Sequence, residues 1–105
     1  MNKCHFLGKF LSDPKIEPSH NTSVTRFDLE VQEFRKDKNG AKKRRKDILR
    51  FEAWDTAATA ITKQAEKNDL MVVECIARNG YDSSDVVFRV TNFKVFKSDY
   101  FDDEK

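Results

Sequence analysis

The sequence predicts an all-β domain with one short helix. Apolar and polar residues alternate through residues 24–34 and 48–54, the second and third predicted strands, and this alternation is typical of half-buried strands. Apolar residues recur at helical spacing in residues 57–65. A chain of 105 residues suits one domain, expected at residues 1–97 and followed by a short acidic tail at residues 98–105.

The first predicted strand covers residues 2–12 and ends at the turn-forming pair Asp13 and Pro14. Gly8, in the middle of this strand, indicates a bend or bulge where the sheet curls. Residues 15–23 are polar and rich in turn-forming types, so they are interpreted as a connection to the second strand.

The second and third strands each place one large aromatic side chain on their polar face. Alternate residues from Phe27 to Val31 are apolar, whereas Phe34 falls on the opposite, charged face. Trp54 likewise shares a face with Arg50. An aromatic ring on a solvent-facing surface either covers a neighbouring strand or stacks on a ligand, and both interpretations stay open at this point.

The helix is predicted to begin after Asp55, a residue type favoured at N-caps, and to continue to about Lys67. Asn68 suits the left-handed position that follows a helix. Two further strands are predicted at residues 70–77 and 86–96. The order β-β-β-α-β-β, with a helix too short to cover a whole sheet, favours a small closed barrel, the five-stranded OB fold.

Residues 35–46 hold a concentrated positive charge. Eight of these twelve residues are Lys or Arg and one is Asp, which gives +7, whereas the whole chain carries only +2. Asn39 and Gly40 form a strong turn signal, so the segment is interpreted as an extended basic hairpin loop. Localised positive charge beside exposed aromatic rings is typical of a surface that binds single-stranded nucleic acid.

Five short segments carry local patterns in a definite order: residues 2–14, 27–31, 51–58, 70–74 and 90–93. The first reads N-K-x-x-x-x-G and ends in an Asp-Pro pair, and the third joins an aromatic strand end to two alanines. Together they resemble the bacterial single-stranded DNA-binding protein family. The resemblance implies an OB fold that binds single-stranded DNA with little sequence preference and without catalysis.

The resemblance and the basic segment together indicate which side chains hold the DNA. Bases would stack on three aromatic residues: Phe34, Trp54 and Tyr81. Phosphates would be held by cations of the basic segment and of two strands: Arg35, Lys36, Lys38, Lys42, Lys43, Arg44, Arg45, Lys46, Arg50 and Arg78. Ile48 stands at a position that is often aromatic in the family, so one stacking platform is missing.

Partners and alternatives stay open from the sequence alone. The family often forms dimers and tetramers, so a homodimer or homotetramer is expected, with replication or recombination proteins as further partners. An OB-fold replication accessory, similar to primosome components and acting mainly through protein contacts, fits the same pattern. An RNA-binding OB domain fits as well, because nothing in the sequence separates ribose from deoxyribose.

Several other classes find no support in the sequence. Cys4 and Cys75 lack the spacing of a zinc site, and they are interpreted as small buried residues in a reducing compartment. There is no nucleophile motif, phosphate loop or apolar carboxylate pair, so neither catalysis nor a cofactor is expected. No apolar run is long enough to cross a membrane and no signal peptide is visible, which favours the cytoplasm, at a nucleoid or a viral replication site.

Overall fold

The structure is a computed structural model and describes residues 1–80 and 83–98. These residues form six strands and one helix, in the order β-β-β-β-α-β-β. The elements are β1 (Cys4–Phe10), β2 (Ile16–Ser19), β3 (Thr22–Lys36), β4 (Lys42–Trp54), α1 (Thr56–Gln64), β5 (Leu70–Asn79) and β6 (Val86–Phe96).

The strands close into a barrel because β1 pairs with two neighbours. The sheet order is β1-β5-β6-β4-β3-β2, and β1 pairs in addition with β3. The pairing of β4 with β6 is parallel, and the others are antiparallel. This arrangement confirms the prediction of a small OB-type barrel with one short helix.

Gly8 lets β1 contact both of its neighbours at one point. It pairs with Met71 of β5 on one side and with Val31 of β3 on the other. A Cβ atom at Gly8 would lie only 2.7 Å from the Cβ atom of Leu29. Gly8, predicted to mark the curl of the sheet, therefore lies where β1 and β3 approach each other closely. Only a residue without a side chain permits this approach.

Replacing Gly8 with alanine should destabilise the barrel, because the added methyl group must displace either β3 or the buried Leu29. Overpacking of this kind costs about 1–3 kcal/mol. Urea unfolding of Gly8→Ala should show a lower midpoint with an unchanged m-value. Gly80→Ala is the matched control, since its nearest neighbouring atom lies 3.7 Å from the new Cβ. An equal loss in both variants would contradict the steric account.

All five predicted strands are present, and the structure adds a sixth, short one. Residues 15–23, interpreted as a polar connection, contain β2, which pairs with the start of β3. His20 and Asn21 have positive φ angles of 47° and 66°, as in a tight two-residue hairpin turn. Because β2 is a largely exposed edge strand, it buries no apolar face, and so the alternation that reveals other strands is absent from it.

The basic segment is mostly strand, not the extended loop predicted for it. β3 and β4 form a continuous ladder that ends at the pair Lys36 and Lys42. Residues 37–41 form the turn, in which the Asp37 carboxylate accepts two backbone N–H bonds and Gly40 has a φ of 78°. Alternation sends cations that are neighbours in sequence to opposite faces of the ladder. Across the ladder, however, Arg35 lies opposite Lys43 and Lys36 lies opposite Lys42. The turn predicted at Gly40 is confirmed.

Phenylalanine rings fill much of the barrel interior. Phe27 and Phe51 stack with their centroids 5.8 Å apart. Phe6 packs edge-on against Phe88, with 5.0 Å between centroids. These rings give the small barrel a rigid core, on which the outward-facing side chains of the same strands are fixed in place.

The two cysteines lie opposite each other on β1 and β5, and both are free. Cys75 is fully buried, as the sequence predicted, and burial raises the pKa of its thiol to about 11, with smaller contributions from the charges of Cys4 and Glu74. The Cys75 thiol therefore stays protonated and unreactive at neutral pH.

The helix ends at Gln64, earlier than predicted. Ala65 is already extended, with φ −107° and ψ 147°. The carboxylate of Asp69 then accepts a hydrogen bond from the backbone N–H of Glu66. Asn68 has a φ of 78°, the left-handed conformation predicted for it.

Asp69 ties this connection to the end of β6. Its side chain is fully buried and also accepts hydrogen bonds from Lys97 Nζ at 2.6 Å and from the Ser98 backbone N–H at 2.8 Å. Burial opposes ionisation, but the hydrogen bonds outweigh it and hold the pKa of Asp69 below its ordinary value. A lowered pKa means that this stabilisation is present above about pH 4 and is lost as the pH falls further.

The variant Asp69→Asn should lose about 1–3 kcal/mol of unfolding free energy at neutral pH, because an amide cannot accept these charge-assisted bonds as strongly. Its stability should also depend less on pH between about 5 and 2. Urea unfolding across this range measures both effects. Unchanged stability at pH 7 would show that the contacts of Asp69 contribute nothing net.

Candidate nucleic-acid interface

From residue 26 of β3 and throughout β4, the even-numbered side chains lie on one face of the ladder, here called the track face. Most of them are exposed or half-buried, but Glu52 is only 7% exposed. Phe34 lies opposite Arg44 near the turn, and Trp54 lies opposite Val24 at the far end. Phe34 is 69% exposed, which confirms its predicted place on the polar face. The track face consists of Arg26, Asp28, Glu30, Gln32, Phe34 and Lys36 of β3, and Lys42, Arg44, Lys46, Ile48, Arg50, Glu52 and Trp54 of β4.

The structure separates the cations that the sequence grouped together. One set lies on the track face: Lys36, Lys42, Arg44, Lys46 and Arg50. A second set lies on the opposite surface of the hairpin, here called the back face: Arg35, Lys43 and Arg45. Lys38 lies in the turn, and Arg78 lies near the end of β5. A single strand of DNA lying on one surface cannot contact both sets.

Trp54 is half-buried and flanked by two guanidinium groups. The Cζ atom of Arg26 lies 6.0 Å from the centroid of the Trp54 ring, and that of Arg89 lies 5.9 Å from it. Arg26 is also held by Glu17 at 3.7 Å. Cations at this distance are attracted to the ring electrons, so Trp54 and its two arginines form one unit at the end of the track face.

Besides Arg26, two further track-face cations are held in place by ion pairs. Arg50 Nε donates to Asp28 Oδ1 at 3.1 Å, and the hydrogen bond and charge of Asp28 raise the pKa of Arg50. Lys46 Nζ lies 3.8 Å from Glu30 Oε1. Exposed ion pairs contribute little to stability, so a phosphate can replace either carboxylate at small cost.

A cleft of about 480 Å³ adjoins the half of the track face nearer to Trp54. Arg26, Arg50 and Glu52 line one side of it, and the turn between β5 and β6 lines the other through Gly80 and Ser83. Tyr81, predicted to stack on a base, lies outside the described residues. Arg78 is exposed, and its rung partner Val87 lines the same cleft, so this predicted cation faces the same side of the barrel.

Phe34 also borders a groove of about 390 Å³ between β1 and the hairpin. Leu7 of β1 and Leu70 of β5 line the same groove. Because 69% of Phe34 stays exposed, the ring does not serve as a lid over this edge of the barrel. Its exposed apolar surface is available to a ligand.

Sequence reasoning did not select Arg26 and Arg89. Arg26 could have been found, since strand parity places it on the same face as Phe34. Arg89 could not, because its position beside Trp54 depends on the parallel register that pairs Arg89 with Glu52. No local pattern in the sequence reveals a parallel contact between strands so far apart in the chain.

Comparison with known proteins agrees with this geometry. The sequence pattern of the Single-strand binding protein family matches residues 1–95. The chain belongs to this family. No curated protein sequence matches the chain.

Solved structures of low sequence identity share the fold of this family member. Wild-type single-stranded DNA binding protein from Thermus aquaticus superposes with a TM-score of 0.79 at 15% identity, over 92% of this chain and 50% of that one. The small single-stranded DNA-binding protein from Streptomyces coelicolor superposes with a TM-score of 0.71 at 18% identity, over 90% of this chain and 93% of that one. The protein priB from Ralstonia solanacearum superposes with a TM-score of 0.72 at 6% identity, over 90% of this chain and 97% of that one. The chain thus spans about half the length of the Thermus protein.

Two further findings concern metal ions and membranes. Within residues 1–80 and 83–98, no group of three His, Cys, Asp or Glu side chains could hold a metal ion. In the same part of the chain, no helix is long and apolar enough to cross a membrane.

Proposed function

We propose that the protein binds single-stranded DNA along the track face, with little preference for sequence. The observation that carries this proposal is one face of the ladder with an exposed ring, Phe34, at one end, a half-buried ring, Trp54, at the other, and cations between them. Such a surface offers stacking to bases and charge to phosphates, and both interactions tolerate any base. Family membership supports the same function.

The spacing of the two rings sets the direction of the DNA. Phe34 and Trp54 are separated by ten rungs of the ladder, which is about 33 Å at the usual strand rise. Neighbouring nucleotides cannot span this distance. The strand therefore runs along the hairpin, with several nucleotides between the two rings, in keeping with sites of about 4–16 nucleotides per OB fold.

Trp54 acts together with its two arginines in this proposal. A base that stacks on the ring displaces the guanidinium of Arg26 or Arg89, and the released cation then pairs with an adjacent phosphate. The exchange replaces a contact between the ring and a guanidinium group with a contact between the ring and a base. Before DNA binds, the two guanidinium groups already hold the Trp54 ring in place. Tyr81, outside the described residues, stays a predicted stacking residue.

Titration with oligo-dT, followed by Trp fluorescence at several salt concentrations, tests the proposal, because Trp54 is the single Trp of the chain. We expect strong quenching and a log–log salt slope near −3, about −0.7 for each of four or five phosphates held. Unchanged fluorescence with weak binding would contradict it and favour a primosome-like accessory role. Competition with oligo-U of equal length tests the RNA-binding alternative.

The protein is further proposed to act as a homodimer or homotetramer on single strands exposed during replication, recombination or repair. Leu7 and Val72 face each other across β1 and β5, with 54% and 42% of their surface exposed, and they offer an apolar contact to a second copy. Sedimentation velocity measures the oligomeric state directly. A monomer at micromolar concentration, with and without oligo-dT, would contradict it.

A further inference from the structure

The outer part of the β3–β4 hairpin stands free of the barrel. Among the described residues, β1 pairs with β3 only as far as Val31, and β6 pairs with β4 only at residues 51–52. Residues 32–36 and 42–46 therefore pair with each other alone. This free ribbon extends about 17 Å beyond the last shared rung, before the turn is added.

Both faces of this ribbon are basic, but they differ in chemistry. The track face carries Phe34 among its cations, whereas the back face carries Arg35, Lys43 and Arg45, the single carboxylate Glu33, and no aromatic ring. Each of the three cations is exposed, and Arg45 also pairs with Asp47 at 3.2 Å, so the face keeps a net positive charge. The back face can therefore hold phosphates but cannot stack bases, and a single strand on the track face leaves it unused.

Two opposed basic faces match the major groove of duplex DNA. The groove is about 12 Å wide, is bordered by a phosphate backbone on each side, and admits a two-stranded β-ribbon. A ribbon with side chains on both faces is about 10 Å thick, as judged from the spacing of stacked sheets. Inserted turn-first, the ribbon would place one basic face toward each backbone.

We infer that the free ribbon binds duplex DNA in the major groove where a single strand meets a duplex. The inference rests on the proposed function, because the single strand on the track face positions the ribbon. A strand that leaves the track at Phe34 reaches the turn at residues 37–41 directly. The protein would then hold the junction itself: the barrel holds the unpaired strand and the ribbon holds the duplex.

Three DNA probes of one sequence test the inference: a dT tail, a blunt hairpin, and the hairpin carrying that tail. We expect the tailed hairpin to bind about ten-fold more tightly than the tail alone, since two or more additional phosphates are neutralised. Dimethyl sulfate should show protection of guanine N7, a major-groove atom, in the duplex next to the tail. Equal affinity for tail and tailed hairpin, or protection absent from the duplex, would overturn the inference.

The back-face triple variant Arg35→Gln, Lys43→Gln, Arg45→Gln should lose the ten-fold gain and weaken binding to the tail by less than about three-fold. Its charge-matched control is Lys15→Gln, Lys63→Gln, Lys67→Gln, three exposed lysines outside the hairpin, which should keep the gain. If the back-face variant weakens the tail and the tailed hairpin equally, the single strand wraps the ribbon and the inference fails. Failure of the parent protein to bind the tail refutes the proposed function, whereas lack of a duplex gain refutes only the inference.

Discussion

Replacing Trp54 with alanine is expected to weaken oligo-dT binding by about 5- to 150-fold without changing the salt slope. Stacking of a base on an aromatic ring contributes about 1–3 kcal/mol, which corresponds to this range. The slope counts displaced counterions, and the ring neutralises no phosphate, so the slope should remain. Because the variant has no Trp, anisotropy of a labelled oligonucleotide is the measurement.

Two conservative variants separate stacking from packing, since Trp54 is half-buried and flanked by Arg26 and Arg89. Trp54→Phe keeps an aromatic face and should retain most of the affinity. Trp54→Leu keeps apolar volume but no ring, and should bind about as weakly as the alanine variant. If the Trp54→Leu variant binds oligo-dT as tightly as the Trp54→Phe variant, Trp54 supports the fold and takes no part in stacking.

The track-face triple variant Lys42→Gln, Arg44→Gln, Lys46→Gln should lower the salt slope by about 2, since each lost phosphate contact removes about 0.7 from it. The same change corresponds to a loss of about 100-fold in affinity near 0.1 M salt. Titrations with oligo-dT at four or five salt concentrations give both quantities. These exposed side chains lie on the free ribbon, so the fold should be unaffected.

The back-face triple variant is the matched control for this result, because it removes the same charge from the same hairpin. If nonspecific attraction alone held the DNA, both triple variants would lower the slope equally. A large change for the track face and a small one for the back face would show that the single strand lies on one surface. Equal changes would contradict the track-face account.

Much of the fold could be predicted from alternation, because half-buried strands reveal which face is buried. The parity that separated Phe34 from Phe27 and Leu29 holds in the barrel. β2 was missed because a largely exposed edge strand buries no apolar face. The hairpin was predicted as an extended loop because the turn signal at Asn39 and Gly40 locates the reversal of the chain but does not show that the backbone ladder continues up to Lys36 and Lys42.

Alternation of apolar and polar residues also predicted part of the candidate site. Phe34, Trp54 and Arg50 lie on one outward face, as parity within each strand required. The cations divide between two faces because the ladder continues to Lys36. The sequence analysis predicted a loop there, so it could not assign the cations to faces. The position of Arg89 beside Trp54 depends on barrel closure, and so it follows from tertiary structure alone.

Photocrosslinking of an iodouracil-substituted oligonucleotide, with adducts identified by mass spectrometry, tests most directly whether DNA follows the track face. We expect adducts on both Phe34 and Trp54, at opposite ends of the hairpin, for a strand long enough to span about 33 Å. A strand too short to span them should give adducts at one ring or the other in each complex. Adducts confined to His5 and Phe93, which line a cleft on the β1–β5–β6 side of the barrel, would contradict the proposed path.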